Sequence, residues 1–444
     1  MNKLLIWRMI MSRTSENPWI LDAFRGFRRI LIMTIWSKLL VGAALGATLG
    51  FFLPNGNQAI GEALEWLANF AISVGRYTVV PMIVFSLCIA VYELRREGGF
   101  LSMLLRCFIL VVISAALVIG VGLAASILFP PARIPITQNG QIENISLYTL
   151  QNIVDIFPSN MFSALMSDGV YLFPICVFSL FMGLGLSYDR NFTKPVISLV
   201  DSLSRIFYHI ASFFSEVLGV AIVALSAYWT FRWRGVERLL PEFGSLIIFL
   251  IVTSILIGFV IFPLLLYVIV KDKPRPWALV YSSISSALCA FFSGDINFTL
   301  PVILKHMKES LGVRRRVTAI TMPLLVTISR AGSAMVATVS LIVVIKSYSS
   351  LGITTIDIVS IGVRALIISF LLARHPGDGA WAALATLCMD YGRGFEAGYL
   401  ILKPIAFYLV AIGAFLDVMI ANFVVYTIAK ISRLQEDKAI QSFI

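Results

Sequence analysis

Residues 277–304 read WALVYSSISSALCAFFSGDINFTLPVIL, an apolar stretch interrupted in its middle by Ser293-Gly294-Asp295. A helix that crosses the hydrocarbon core of a membrane needs about 20 apolar residues, and each half of this stretch is too short to span comfortably. A glycine and an N-capping aspartate between two short arms predict a helical hairpin that enters the membrane and returns. Irregular backbone at that depth is tolerated only where it lines a cavity or is buried in protein. Asn297, Thr299 and Pro301 follow the break directly.

Two more apolar segments are broken in the same manner. Between about 353 and 390, Leu371-Leu372-Ala373-Arg374-His375-Pro376-Gly377-Asp378-Gly379 separates two apolar arms, and Pro-Gly-x-Gly is a strong breaker. In 317–344, Thr327-Ile328-Ser329-Arg330-Ala331-Gly332-Ser333 falls near the centre. An arginine at a helix centre costs about 2.5–3.5 kcal/mol on insertion scales, so Arg330 is expected to face a partner or a wet cavity. Asp417, the ionisable group within FLDVMIANF at 415–423, poses the same demand, and so short a side chain cannot snorkel out.

The rest of the chain places these breaks in a membrane. Of 444 residues, 59% are hydrophobic and 13% charged, and the mean hydropathy is +0.91. Soluble domains run near half apolar and a quarter charged, so a soluble fold is excluded. Residues 243–270 carry no charge, and comparable apolar runs lie at about 39–53, 64–93, 102–130, 170–187, 196–230, 317–345 and 405–429. They are continuously apolar, without the alternation of outer-membrane strands. The expected fold class is therefore an all-α integral membrane protein with about eight transmembrane helices and two re-entrant hairpins.

The N-terminal MNKLLIWRMIMSR has too short an apolar core for a secretory signal and is read as retained and cytosolic. Both termini then lie inside. Most of the lysines and arginines fall in cytosolic segments, among them Arg95, Arg96, Lys271, Lys273, Arg275, Arg314, Arg315, Arg316 and Lys430. The loop at Arg232, Arg234 and Arg238 is discordant. This bias accounts for most of the +11 net charge as topology and anionic-lipid contact, with no nucleic acid as partner. The stretch 130–151 reads as an external loop, and the location as the inner or plasma membrane.

Cys88, Cys107, Cys176, Cys289 and Cys388 sit inside apolar segments without metal-like spacing and read as small core residues. His209, His306 and His375 are far apart, and no HExxH or glycine-rich phosphate loop occurs. No metal, no cofactor and no enzyme activity is expected. Gly42, Gly46 and Gly50 share one helix face and read as a packing stripe; Gly183 and Gly185 read as small packing residues. Arg76, Asp201, Arg205 and Glu216 lie at the edges of spans, where pairing or snorkelling is expected before substrate contact.

Several motifs resemble the dicarboxylate/amino acid:cation symporter family, which has the glutamate-transporter fold, from about residue 37 to 430. LLVGAALGATLGFFLP at 39–54 is similar to its first span and GRYTVVPMIVFSLCIA at 75–90 to its second, with Pro81 and Phe85 in place. The most specific match is FPSNMFSAL at 157–165, followed by ICVFSLFMGLGL at 175–186. Thr299-Leu300-Pro301 closes the first hairpin as in the family, Pro376-Gly377-Asp378-Gly379 resembles the second tip, and Leu416-Asp417 the pair in the last span.

The resemblance implies a homotrimer working by an elevator-type movement. It divides the chain into a cytosolic segment at 1–36, one membrane transporter domain at 37–430 and a cytosolic tail at 431–444. Scaffold spans are mainly 37–60, 64–94 and 160–232, and the transport core mainly 102–130 and 243–430. Substrate-binding candidates are Asp295, Asn297, Thr299, Ser329, Arg330, Ser333, Arg374, Asp378, Gly379 and Asp417, with Arg330, Asp417 and His375 as coupling groups. The implied role of Asp417 is to meet a substrate amino group.

This chain departs from the family where sodium binds. Ser329-Arg330-Ala331-Gly332-Ser333 replaces an Asn-Met-Asp-Gly-Thr motif, and Ile420, Val424 and Ile428 stand where the last span has Arg, Asn and Asp. Sodium wants several oxygen ligands, and Ala331 and Ile428 supply none. Arg330 then reads as a fixed cation neutralising Asp417 or Asp295, giving proton-coupled or sodium-independent symport of an amino acid or C4 dicarboxylate. Alternatively Arg330 and Arg374 fork onto a substrate carboxylate, or Arg330 and Asp417 simply pair in the core. A channel or membrane sensor without concentrative transport is the competing function.

Overall fold

A computed structural model describes residues 35–54, 57–135, 154–166, 168–237, 240–270, 275–348, 354–392 and 394–436. The readings of 1–36, the external loop, Arg238, Lys271, Lys273 and the tail fall wholly or mostly outside these residues. No strand occurs among the described residues.

The helices are α1 (Ile35–Phe52), α2 (Gln58–Arg76), α3 (Val79–Arg96), α4 (Phe100–Leu128), α5 (Phe173–Leu186) and α6 (Arg190–Val236). They continue with α7 (Leu240–Ile255), α8 (Phe262–Ile269), α9 (Pro276–Ser293), α10 (Ile296–Glu309), α11 (Arg315–Ile328) and α12 (Ala331–Tyr348). The last three are α13 (Thr355–Ser369), α14 (Gly379–Tyr391) and α15 (Ala406–Ile431). Among the described residues, seven helical segments are long and apolar enough to cross a membrane, with α2–α3, α7–α8 and α11–α12 each taken as one, and α1 and α5 are shorter apolar helices. The two interrupted segments fold as expected, α9–α10 and α13–α14 forming hairpins, and α11–α12 breaks at Ser329-Arg330.

Two spans that read as continuous run as single apolar helical segments, Gln58–Arg96 and Pro241–Ile269, each with a local irregularity beside a proline. Pro81 has no N–H and its ring crowds the carbonyl four residues back, at Tyr77, where α2 gives way to α3. Pro263 likewise crowds Phe259, and residues Leu256–Ile261 widen into a π-helical segment between α7 and α8. The span read at 196–230 is in fact a helix of 47 residues, α6, about 70 Å long.

Burial separates two groups of helices. In the best spanning window of α11–α12, 94% of residues are buried, and in that of 398–431, 89%, against 39% for α4 and for α6. The first two are therefore enclosed by protein, while the latter two leave much of their surface exposed. α12 is enclosed by α4, α13, α14 and α15. On the other side α1 lies along α6, with Gly42, Gly46 and Gly50 pressed against the carbonyls of Gly219, Val223 and Ala227. That is the packing stripe read from the sequence. Gly183 also packs closely, a Cβ there standing 2.6 Å from the Cys88 carbonyl, whereas a Cβ at Gly185 would have nothing within 4 Å among the described residues, so Gly185 makes no close packing contact there. All five cysteines are buried and free.

Ion pairs tie α6 to α1, to α10 of the first hairpin and to α11. Glu216 of α6 takes Lys38 of α1 and, at 2.6 Å, Lys305 of α10. Arg315 of α11 donates to Asp201 of α6 at 2.6 Å, and Arg316 pairs with Glu97.

Candidate functional site

The break between α11 and α12 leaves the first amides of α12 without intrahelical partners. Asp417, near the middle of α15, supplies the acceptor. Its Oδ1 takes Gly332 N at 2.7 Å and Ser333 N at 3.1 Å, and its Oδ2 takes Ser333 Oγ at 2.6 Å. The carboxylate thus caps a helix in another part of the chain, at the end where the macrodipole favours negative charge. Gly332 permits the approach, since a Cβ there would stand 2.6 Å from Asp417 N and 2.8 Å from Leu416 Cβ.

Arg330 completes the set. Its Nε donates to Asp417 Oδ2 at 2.9 Å, and both residues are 1% exposed. A carboxylate has room for about four hydrogen bonds, so Asp417 is saturated by four donors. The guanidinium does not stop there, because Nη2 donates to Pro376 O at 3.1 Å, in the tip of the second hairpin. Gly379 lets α14 pack against it, a Cβ at that position standing 2.9 Å from Arg330 Nη2.

The same Pro376 carbonyl accepts from Ile296 N at 3.3 Å, at the start of α10. One backbone oxygen therefore joins both hairpin tips to the arginine of the broken helix. In the first tip, Gly294 ends α9 with φ +66, a left-handed conformation suited to glycine. Asp295 then caps α10 through Oδ1, which takes Asn297 N at 2.7 Å and Phe298 N at 3.1 Å. Its Oδ2 pairs with Arg76 of α2.

The remaining sequence candidates lie in different places. Ser329 Oγ is buried at the break and has no hydrogen-bond partner among the described residues. Asn297 Nδ2 donates to the carbonyls of Gly169 and Val170 at 2.9 and 3.0 Å, and Thr299 Oγ1 bonds within its own helix to Ile296 O. Arg374 is not beside Arg330; it donates to Asp155 at 2.7 Å and lies 5.2 Å from the Tyr171 ring centroid. His375 lies 3.1 Å from Asp378 Oδ2 at the partly exposed edge of the second tip. Asp295 meets Arg76 instead of Arg330.

Sequence reading passed over three participants. Arg76 carried only the signal of a charge at a span edge, and Pro376 acts through a carbonyl that no side-chain pattern reveals. Asn422, buried on α15, donates to Ser286 Oγ of α9 at 3.0 Å while its Oδ1 has no partner. A lone polar residue five positions after Asp417 was the available clue.

The sodium:dicarboxylate symporter family matches residues 35–431, almost all of the described chain. The chain belongs to that family. Among individual relatives, it is similar to a serine/threonine transporter, SstT, of Enterococcus faecalis, 24% identical over 316 residues, 69% of this chain and 70% of that one. The SstT of Lacticaseibacillus paracasei is 26% identical over 326 residues, 70% and 69% of the two chains. A proton/glutamate-aspartate symporter of Bacillus subtilis is 24% identical over 323 residues, 70% and 74%. The resemblance read from the motifs and the all-α, multi-pass membrane fold are thereby established. Within this family member, Ile420, Val424 and Ile428 are buried apolar residues on α15, at most 1% exposed.

Proposed function

We propose that this chain is a secondary active symporter for a small carboxylate-bearing solute, an amino acid or a C4 dicarboxylate, working by elevator-type alternating access. The observation that carries the reading is the Arg330 guanidinium seated on Asp417 at the helix break, 2.9 Å away and buried. A tethered cation neutralises that carboxylate without a dissolved one, so transport is sodium-independent and a proton gradient drives it. The names of the relatives, two serine/threonine transporters and a proton/glutamate-aspartate symporter, support both the solute class and the proton.

In this reading Ser329, Arg330, Ser333, Gly379 and Asp417 surround the solute, with Asp295, Asn297 and Thr299 holding the first tip. Arg374, His375 and Asp378 form the outer rim. Residues 37–60, 64–94 and 160–232 form the static frame of a homotrimer in the inner or plasma membrane, and 102–130 and 243–430 move against it, both termini being cytoplasmic.

The test is uptake of labelled aspartate, glutamate, serine, threonine and C4 dicarboxylates into proteoliposomes, with sodium and proton gradients imposed separately. Uptake driven by protons and indifferent to sodium is expected. Strict sodium dependence would overturn the role of Arg330. Saturation of Asp417 by four donors favours one rival, a channel or sensor, since no lone pair is left for a solute ammonium; absence of uptake for every solute would select it.

A further inference from the structure

Between α6 and the junction of α10 with α11 lies a cavity of about 330 Å³, lined by Arg205, Tyr208, His209, Lys308 and Arg315. It is remote from the solute site, since Lys308 stands at the opposite end of α10 from Asp295, about 18 Å along the helix. Its lining carries three permanent cations and no carboxylate. The acids facing these cations stand outside the lining. Asp201 accepts from Arg315 at 2.6 Å and pairs with Arg205 at 3.0 Å, so two guanidinium groups share one carboxylate. Glu93 stands 3.8 Å from Arg315, and Glu309 accepts from the Tyr208 hydroxyl at 3.5 Å. The Lys308 ammonium lies 3.8 Å from the centroid of the Tyr208 ring.

The three cations converge on one concavity while their carboxylates stand behind them, outside its lining, and forked guanidinium groups suit the oxygens of a phosphate. The cavity also lies at a membrane edge, beside the run Arg314-Arg315-Arg316. From it α6 leads away with Ile206, Phe213, Val217 and Val220 exposed on one face, the surface that acyl chains wet. Basic pockets between membrane helices on the cytoplasmic side take anionic headgroups.

The geometry points to a binding site for a phosphate group, held by Arg205, Lys308 and Arg315 with the Tyr208 hydroxyl and His209 at its margin. Because α6 makes one wall and α10–α11 the other, the occupant ties α6 to the base of the first hairpin. A phospholipid headgroup and a soluble phosphate offer the same chemistry.

Thermal unfolding of the full chain in detergent, in phosphate-free buffer, separates the sources. The additions are phosphatidylglycerol, phosphatidylcholine, glycerol phosphate and inorganic phosphate. A saturable rise in Tm with phosphatidylglycerol but not phosphatidylcholine is expected, weakening about tenfold in half-saturation in an Arg205→Gln/Lys308→Gln variant, which is 1.4 kcal/mol. The same variant-sensitive rise with the soluble phosphates would assign the site to free phosphate. No anion-dependent rise, or one equal in wild type and variant, overturns the site. Should that variant fail to fold, native mass spectrometry of the wild type decides. Extracted from equimolar phosphatidylglycerol and phosphatidylethanolamine, it must retain the anionic lipid preferentially, and equal retention of the two overturns the proposal.

Discussion

Arg76 of α2 and Asp295 at the tip of the first hairpin form an ion pair across 219 residues of sequence. Asp295 divides its two oxygens between this pair and the first amides of α10. The start of a helix and a contact between distant helices therefore depend on one carboxylate.

Asp295 is 1% exposed, whereas the Arg76 side chain is 19% exposed and can turn to water. Arg76→Gln strands a buried charge and is expected to destabilise by about 3–5 kcal/mol. Asp295→Asn keeps a capping acceptor and releases Arg76 outward, costing about 0.5–1.5 kcal/mol, the net value of one hydrogen bond. Unfolding midpoints of the two variants should follow that order, and the reverse order would contradict the asymmetry of burial.

For Arg330 and Asp417, removing either partner leaves the other charged and buried. Arg330→Met and Asp417→Asn should each cost about 3–5 kcal/mol. The double variant should cost less than their sum by about 2 kcal/mol, as residues in one network do. Additive losses would mean that the pair contributes nothing as a pair.

Glycines give a sharper contrast. Gly332→Ala places a methyl 2.6 Å from the backbone of Asp417, where nothing flexible can yield, and should cost about 3 kcal/mol, the upper end of overpacking. Gly185→Ala meets nothing within 4 Å among the described residues and gains helix propensity, so stability should hold or rise by up to about 1 kcal/mol. Chemical unfolding of the two variants in detergent checks both.

Arg374 and Asp155 are 41% and 30% exposed along their side chains, and exposed pairs of this kind are worth about 0–1 kcal/mol. Arg374→Gln should therefore leave the unfolding midpoint within a few degrees. Its effect on uptake then reports the rim alone, and a large loss of solute affinity would place Arg374 on the solute after all.

What the sequence revealed was mostly punctuation. Gly294, the Ser329-Arg330 step and Pro376-Gly377 interrupt apolar runs, and a backbone that breaks inside a membrane announces itself by the residues able to break it. Side-chain partners were far less legible. Arg330 and Asp417 each demanded a counterpart, and two buried opposite charges in neighbouring segments are a short list. Asp295 had a choice of cations, and nothing local to Arg76 distinguished it from other charges at span edges. The irregularities at Tyr77 and Leu256–Ile261 had their cause in plain view, in Pro81 and Pro263, yet an apolar run conceals them because hydropathy does not report backbone hydrogen bonding. The length of α6 escaped for another reason: its last turn, with Arg232 and Arg234, read as loop, although it continues the helix to Val236.

The Pro376 carbonyl works as a logical conjunction. It has two lone pairs, one taken by Ile296 N and the other by Arg330 Nη2, and the donors belong to different segments. If the second tip moved away, both donors would lose the same acceptor in one step, so the two contacts stand or fall together.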